Sequence, residues 1–92
     1  MELYTFIMEY LEGTYISQVN ANNIRKAMTL WIQNLETEEI KGFSNSDKQK
    51  LINDNFSDEA PVLIRGMKNV WHFLIITKKG TGFVNCVKTR KA

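Results

Sequence analysis

Two stretches near the N-terminus, Leu3 to Tyr10 and Thr14 to Val19, are dense in aromatic and branched residues and read as strands. Between them lies Leu11-Glu12-Gly13, which predicts a three-residue hairpin loop with Gly13 in the left-handed position. That loop sets Tyr10 against Thr14 and Met8 against Ile16. One face then carries Tyr4, Phe6, Met8 and Ile16 and is expected to meet the core, while Tyr15 and Val19 fall on the other.

The period then changes. Ile24, Ala27, Met28, Trp31 and Leu35 recur at helical spacing and form one apolar stripe. Asn22 is the expected N-cap. The helix is expected to stop near Leu35 or Glu36, because Glu36, Glu38 and Glu39 oppose the charge of a helix C-terminus. A shorter helix is predicted from Asp47 to Asn53. Ser46 would cap it, with Gln49 at capping-box spacing, and Leu51, Ile52 and Phe56 would anchor it.

Pro61 opens PVLI, a short edge strand, since proline is tolerated at a strand start. Residues 65–69 turn the chain. Val70 to Thr77 and Phe83 to Thr89 then form a second hairpin, with Lys78-Lys79-Gly80 as its loop. In that register Thr77 faces Thr81, Ile75 faces Phe83 and His72 faces Cys86. The predicted order is β-β-α-α-β-β, with PVLI as an optional further strand. This is an α+β, two-layer domain with an antiparallel sheet of four or five strands and its helices on one face.

Length adds that the 92 residues form a single domain, 1–92, with a modest core. The sequence MELYTFIMEY has no basic residue and does not read as a signal peptide. No apolar run reaches the length of a membrane span, and one cysteine, Cys86, forms no internal disulfide. These features set the expectation of a cytoplasmic protein without membrane association. Charge is unevenly distributed. Residues 1–59 hold five basic residues against all ten acidic ones, whereas residues 60–92 hold seven basic residues and no acid. A split of this kind can make one positive face.

Candidate chemistry is sparse. Cys-x-x-Cys, His-Glu-x-x-His and calcium-loop patterns are absent from the sequence, and Asp54 with Asp58, or Glu36 with Glu38 and Glu39, would reach a cation only by accident. No metal and no cofactor is expected. A His72–Cys86 pair has the elements of an activated nucleophile, without an acid in that half of the chain to orient the imidazole. ITKKGTGF places its lysines before the glycine and a strand after it, the reverse of a phosphate-binding P-loop. Its counterpart is YLEGTYI, a hairpin corner with a different charge.

The second hairpin is apolar on both faces. That pattern points to a covered surface: His72, Leu74, Ile76, Val84 and Cys86, with Trp71 beside them, are the expected protein-binding residues. A homodimer is the simplest way to cover such a face, and another protein is the second. The reading from sequence is therefore a small non-enzymatic protein-binding or regulatory protein acting through the C-terminal hairpin. The alternative is a nucleic-acid binder using Lys78, Lys79, Lys88, Arg90 and Lys91 beside aromatic rings. An enzyme of unrecognised type is the second alternative.

Overall fold

The structure, a computed structural model, describes residues 1–54, 62–63 and 67–89. Strands β1 (Glu2–Tyr10) and β2 (Gly13–Ala21) are followed by helices α1 (Ile24–Asn34) and α2 (Asn45–Asp54), with a 3-10 turn at Thr37–Glu39 between them. A two-residue β3 (Val62–Leu63) precedes β4 (Val70–Ile76) and β5 (Thr81–Thr89). The five strands form one antiparallel sheet in the order β2-β1-β5-β4-β3. This is the expected α+β two-layer architecture. Phe56, Asp58, Pro61, Ile64, Arg65, Gly66, Arg90 and Lys91 lie outside the described residues.

The core forms where the helices meet one sheet face. Tyr4, Phe6, Met8 and Tyr10 of β1, Phe73 and Ile75 of β4, and Val84 and Cys86 of β5 are buried there, under Ala27, Met28, Trp31 and Ile32 of α1. Trp31 is the centre of this packing. Its ring stacks on Phe6 at 5.0 Å and 10°, and meets the edge of Phe73 at 5.5 Å and 82°. Such offset and edge-on pairs add about 0.5–1.5 kcal/mol each beyond burial.

Both hairpin registers differ from the sequence expectation, each by one residue on one strand. In the first, Tyr10 pairs with Gly13 and Met8 with Tyr15. The loop is only Leu11-Glu12, both at positive φ (44° and 69°), as a two-residue I′ hairpin requires. A one-residue slip exchanges the faces of a strand. Val19 therefore joins the core and Ile16 turns outward. Leucine is an unusual choice for the left-handed region, but its side chain is held. A Cβ on Gly80 would come within 3.1 Å of Leu11 Cδ2, and one on Gly42 would collide with Leu11 Cδ1. Gly13 and Gly80 are absent from the left-handed set, which among the described residues is Leu11, Glu12, Gly42 and Asn69.

Glu12 is exposed and forms no side-chain hydrogen bond to a described residue, so Glu12→Gly relieves its backbone without a packing loss. The gain, net of glycine's greater unfolded-state freedom, is about 0.5–1 kcal/mol. Thermal melting should show a rise of about 3–6 °C; an unchanged or lower midpoint would mean the turn is unstrained.

In the second hairpin Ile76 pairs with Thr81 and Leu74 with Phe83. Thr77 belongs to the turn because its N–H donates to Gly80 O at 2.9 Å, and its Oγ1 accepts from the N–H groups of Lys79 and Gly80, both at 3.2 Å. The helix caps also shift. Asn23, not Asn22, caps α1, accepting from Lys26 N at 2.9 Å. Ser44 and Asp47 form a reciprocal capping box: Asp47 N donates to Ser44 Oγ at 3.1 Å and Ser44 N to Asp47 Oδ2 at 3.2 Å. Ser46 and Gln49 have the same spacing but sit two residues too late to use it.

Candidate functional site

The helices cover one face of the sheet. On the other, register brings together Leu3, Thr5, Ile7 and Glu9 of β1 with Thr14, Ile16, Gln18 and Asn20 of β2. Beside them lie Thr81, Phe83, Asn85, Val87 and Thr89 of β5 and Val70, His72, Leu74 and Ile76 of β4. Ile16 is 66% exposed, Ile76 59% and Phe83 52%. Leu3, Ile7, Val70, Leu74 and Val87 are half-buried. On this face Glu9 is the single Asp, Glu, Lys or Arg among the described strand residues. Its carboxylate accepts from Thr14 Oγ1 at 2.9 Å. Depletion of charge around exposed aliphatic and aromatic groups is the composition of an interface centre.

The six residues expected to bind protein divide between the two faces. His72, Leu74 and Ile76 lie on the bare face. Trp71 is half-buried on the helix side, 6.0 Å from the ring of Tyr4. Val84 and Cys86 are fully buried in the core, a correction that follows from the register: His72 faces Asn85, and Cys86 faces Trp71. Phe83 and Val87 take their place on the bare face. Exposed Ile16, from the first hairpin, also belongs to that face, because the two-residue loop turns it outward.

The same register removes the His72–Cys86 pair. The two side chains sit on opposite faces, and His72 Nδ1 is 3.1 Å from Asn85 Oδ1. Burial pushes the Cys86 thiol up to about 12, so at neutral pH it is a small apolar core group.

The basic residues do not converge where they are described. Lys78 and Lys79 are exposed at one end of β5, whereas Lys88, half-buried opposite Tyr4, lies near the other end. The rise of the strand puts roughly 25 Å between them. The Lys78-Lys79 turn is held by internal hydrogen bonds. Tyr10 Oη donates to Gly42 O at 2.6 Å and also bonds to Thr77 Oγ1. Lys78 N donates to Asp47 Oδ1 at 3.4 Å. A shallow depression of about 420 Å³ lies beside this turn, lined in part by Asp47, Lys78 and Lys79.

Burial is the largest influence on the Asp47 carboxyl and opposes its ionisation. Hydrogen bonds from Ser44 and Lys78, together with the Lys78 charge, outweigh it and hold the group below its ordinary 3.8. A carboxyl whose folded value is lowered stabilises the fold above the unfolded value, and loses that contribution as pH falls through the folded one. Asp47→Asn is therefore expected to cost about 1–2 kcal/mol at pH 7 and to flatten the acid limb below pH 4. Urea unfolding between pH 7 and pH 3 measures both effects. Parallel curves for the two proteins would remove Asp47 from the acid response.

Among the described residues, no group of three His, Cys, Asp or Glu side chains is placed to hold a metal ion, and no helix is long and apolar enough to cross a membrane. Comparison with known protein families, curated proteins and solved structures finds no match for this chain. Its functional reading therefore rests on the surface described above.

Proposed function

We propose that the protein is a small non-enzymatic, protein-binding regulator that self-associates through the bare face of its sheet. The carrying observation is the exposure of Ile16, Ile76 and Phe83 on a face where Glu9 is the one charged residue among the described strand residues. A second copy suits this face better than a strongly charged partner. Two nearly uncharged surfaces meet without like-charge repulsion, whereas a strongly charged partner finds only Glu9 to pair with among the described strand residues. An isologous pairing presents the same residues from both sides.

Four strands at their usual spacing, about nine residues long, give a footprint of roughly 19 Å by 30 Å per copy. A pair then buries about 1,100 Å², just above the ~1,000 Å² of a specific interface. This supports a reversible dimer of modest affinity.

Sedimentation equilibrium tests the reading. The protein should distribute between monomer and dimer, and Phe83→Lys or Ile76→Lys should shift it to monomer by at least about tenfold in Kd. The variants should retain the native circular dichroism spectrum, since both side chains are exposed. A protein that stays monomeric at its solubility limit, or a dimer indifferent to both changes, overturns the proposal.

A further inference from the structure

Strand β2 forms one edge of the sheet. Tyr10 and Gly13 flank a two-residue turn, so they form a hydrogen-bonded pair, and bonded pairs alternate along an antiparallel ladder. Gly13, Tyr15, Ser17, Val19 and Ala21 therefore direct their backbone groups to β1. Thr14, Ile16, Gln18 and Asn20 direct theirs outward, and all four are exposed. Edge strands are normally protected by proline, lysine, a bulge or shortness. β2 is nine residues long, reads GTYISQVNA, holds no charge or proline, and pairs with β1 without interruption.

A groove of about 310 Å³ runs beside this edge, lined by residues Thr14 to Val19 on one side. The opposite side is Trp31, Asn34 and Leu35 at the end of α1, followed by Glu36, Glu39 and Ile40. The groove exists because α1 leaves the middle of β2 uncovered: Ser17 points to the helix side yet is exposed. Its floor is apolar, with Trp31, Leu35 and Ile40 buried. Its rim is negative. Glu36 and Glu39 stand there, and the last turn of α1, which carries no basic residue, adds the partial negative charge of its carbonyls. Lys48 Nζ, bonded to Leu35 O at 2.9 Å, offsets part of this.

We propose that the outer edge of β2, with this groove, is a docking site for an extended basic peptide segment that joins the sheet as a further strand. The free backbone groups supply the ladder, the usual source of affinity in strand addition. Alternate side chains supply selectivity. Those entering the groove are lysines or arginines, whose stems cover the apolar floor while their charged ends reach Glu36 and Glu39. Those on the other side are β-branched residues that extend the bare face beside Ile16. The lining run of six residues spans about 20 Å, which fits a segment of six to eight. A second copy is the poorer occupant, because antiparallel β2–β2 pairing would put two acidic rims over one groove. The site adjoins the face proposed for self-association along Thr14, Ile16, Gln18 and Asn20 but does not depend on that proposal.

The test uses the intact protein and two fluorescein-labelled octapeptides, Lys-Val repeated four times and Glu-Val repeated four times. Fluorescence anisotropy should show the lysine peptide binding at least about tenfold more tightly, with an affinity that falls as salt is raised. Gln18→Pro removes one outward N–H and leaves the ladder to β1 intact. It should weaken binding about tenfold. Glu36→Gln with Glu39→Gln should weaken it about fivefold and reduce the salt dependence. Should Gln18→Pro fail to fold, the wild-type protein with a lysine peptide N-methylated on its strand-facing amides gives the same measurement, and binding should be lost. Equal binding of the two octapeptides, or undiminished binding by folded Gln18→Pro, overturns the proposal. So does a dimer that Gln18→Pro dissociates and Phe83→Lys leaves intact, which would give the edge to a second copy.

Discussion

Trp31→Ala is expected to lower stability by about 3–5 kcal/mol, the range for deleting a buried large aromatic side chain. A domain of this length has roughly 5–12 kcal/mol in total, so the variant should be near the limit of folding. The size follows from position. Trp31 is 1% exposed and contacts both halves of the sheet, stacking on Phe6 of β1 and standing edge-on to Phe73 of β4. Few side chains could collapse into the space it leaves, because Phe6 and Phe73 also meet edge to face, at 6.2 Å and 77°. Urea unfolding followed by circular dichroism measures the loss. Trp31→Phe keeps a ring in the same place and should cost less than half as much. Equal costs for the two would assign the effect to indole-specific contacts rather than to volume.

Gly82→Val should cost about 1–3 kcal/mol by overpacking. Gly82 is buried on the core side of β5, directly opposite Ile75. A Cβ there would lie 2.6 Å from Ile75 Cγ1 and 3.4 Å from Tyr10 Cδ1. Both neighbours are themselves fully packed, so neither can withdraw freely. The missing side chain is thus occupied volume, and the glycine is required by its neighbours rather than by its own backbone. A double-mutant cycle with Ile75→Ala separates the two causes. Relief of the clash should make the double variant less costly than the sum of the single ones by about 1 kcal/mol or more. Additive costs would mean that glycine is needed there for some reason other than space.

The contrast between Gly82 and Gly13 shows what the sequence could and could not convey. Element types were legible because each rests on a local period: aromatic and branched runs for the strands, and Ile24 through Leu35 for the helix. Pairing was not, because it turns on one residue in each loop. A glycine third in Leu11-Glu12-Gly13 favours the bulged loop on local grounds. The structure instead takes the two-residue loop, with Leu11 packed close to Gly42 and Gly80, residues distant in sequence. Tyr15 and Val19 register that choice, since only the shorter loop brings both to the core side, where Val19 is buried and Tyr15 half-buried. For the candidate surface, the idea of an apolar second face on the C-terminal hairpin needed no register. Its membership did, which is why Val84 and Cys86 moved inward and Phe83 and Val87 outward. The edge of β2 carried no signal at all in one dimension, since which strand lies outermost depends on where β5 inserts.

That insertion has a temporal side. β5 docks against β1, with Phe6 beside Cys86, while the hairpin partner of β1 follows it immediately. During synthesis the first hairpin and α1 are made before β5 exists. Until then, the inner edge of β1 is open. Contacts this far apart in the chain slow folding, and an unpaired strand edge is the feature by which nascent chains associate wrongly. Before β5 arrives the first hairpin has two open edges, and the docking of β5 closes the one on β1, leaving β2 as the outer strand on that side of the sheet.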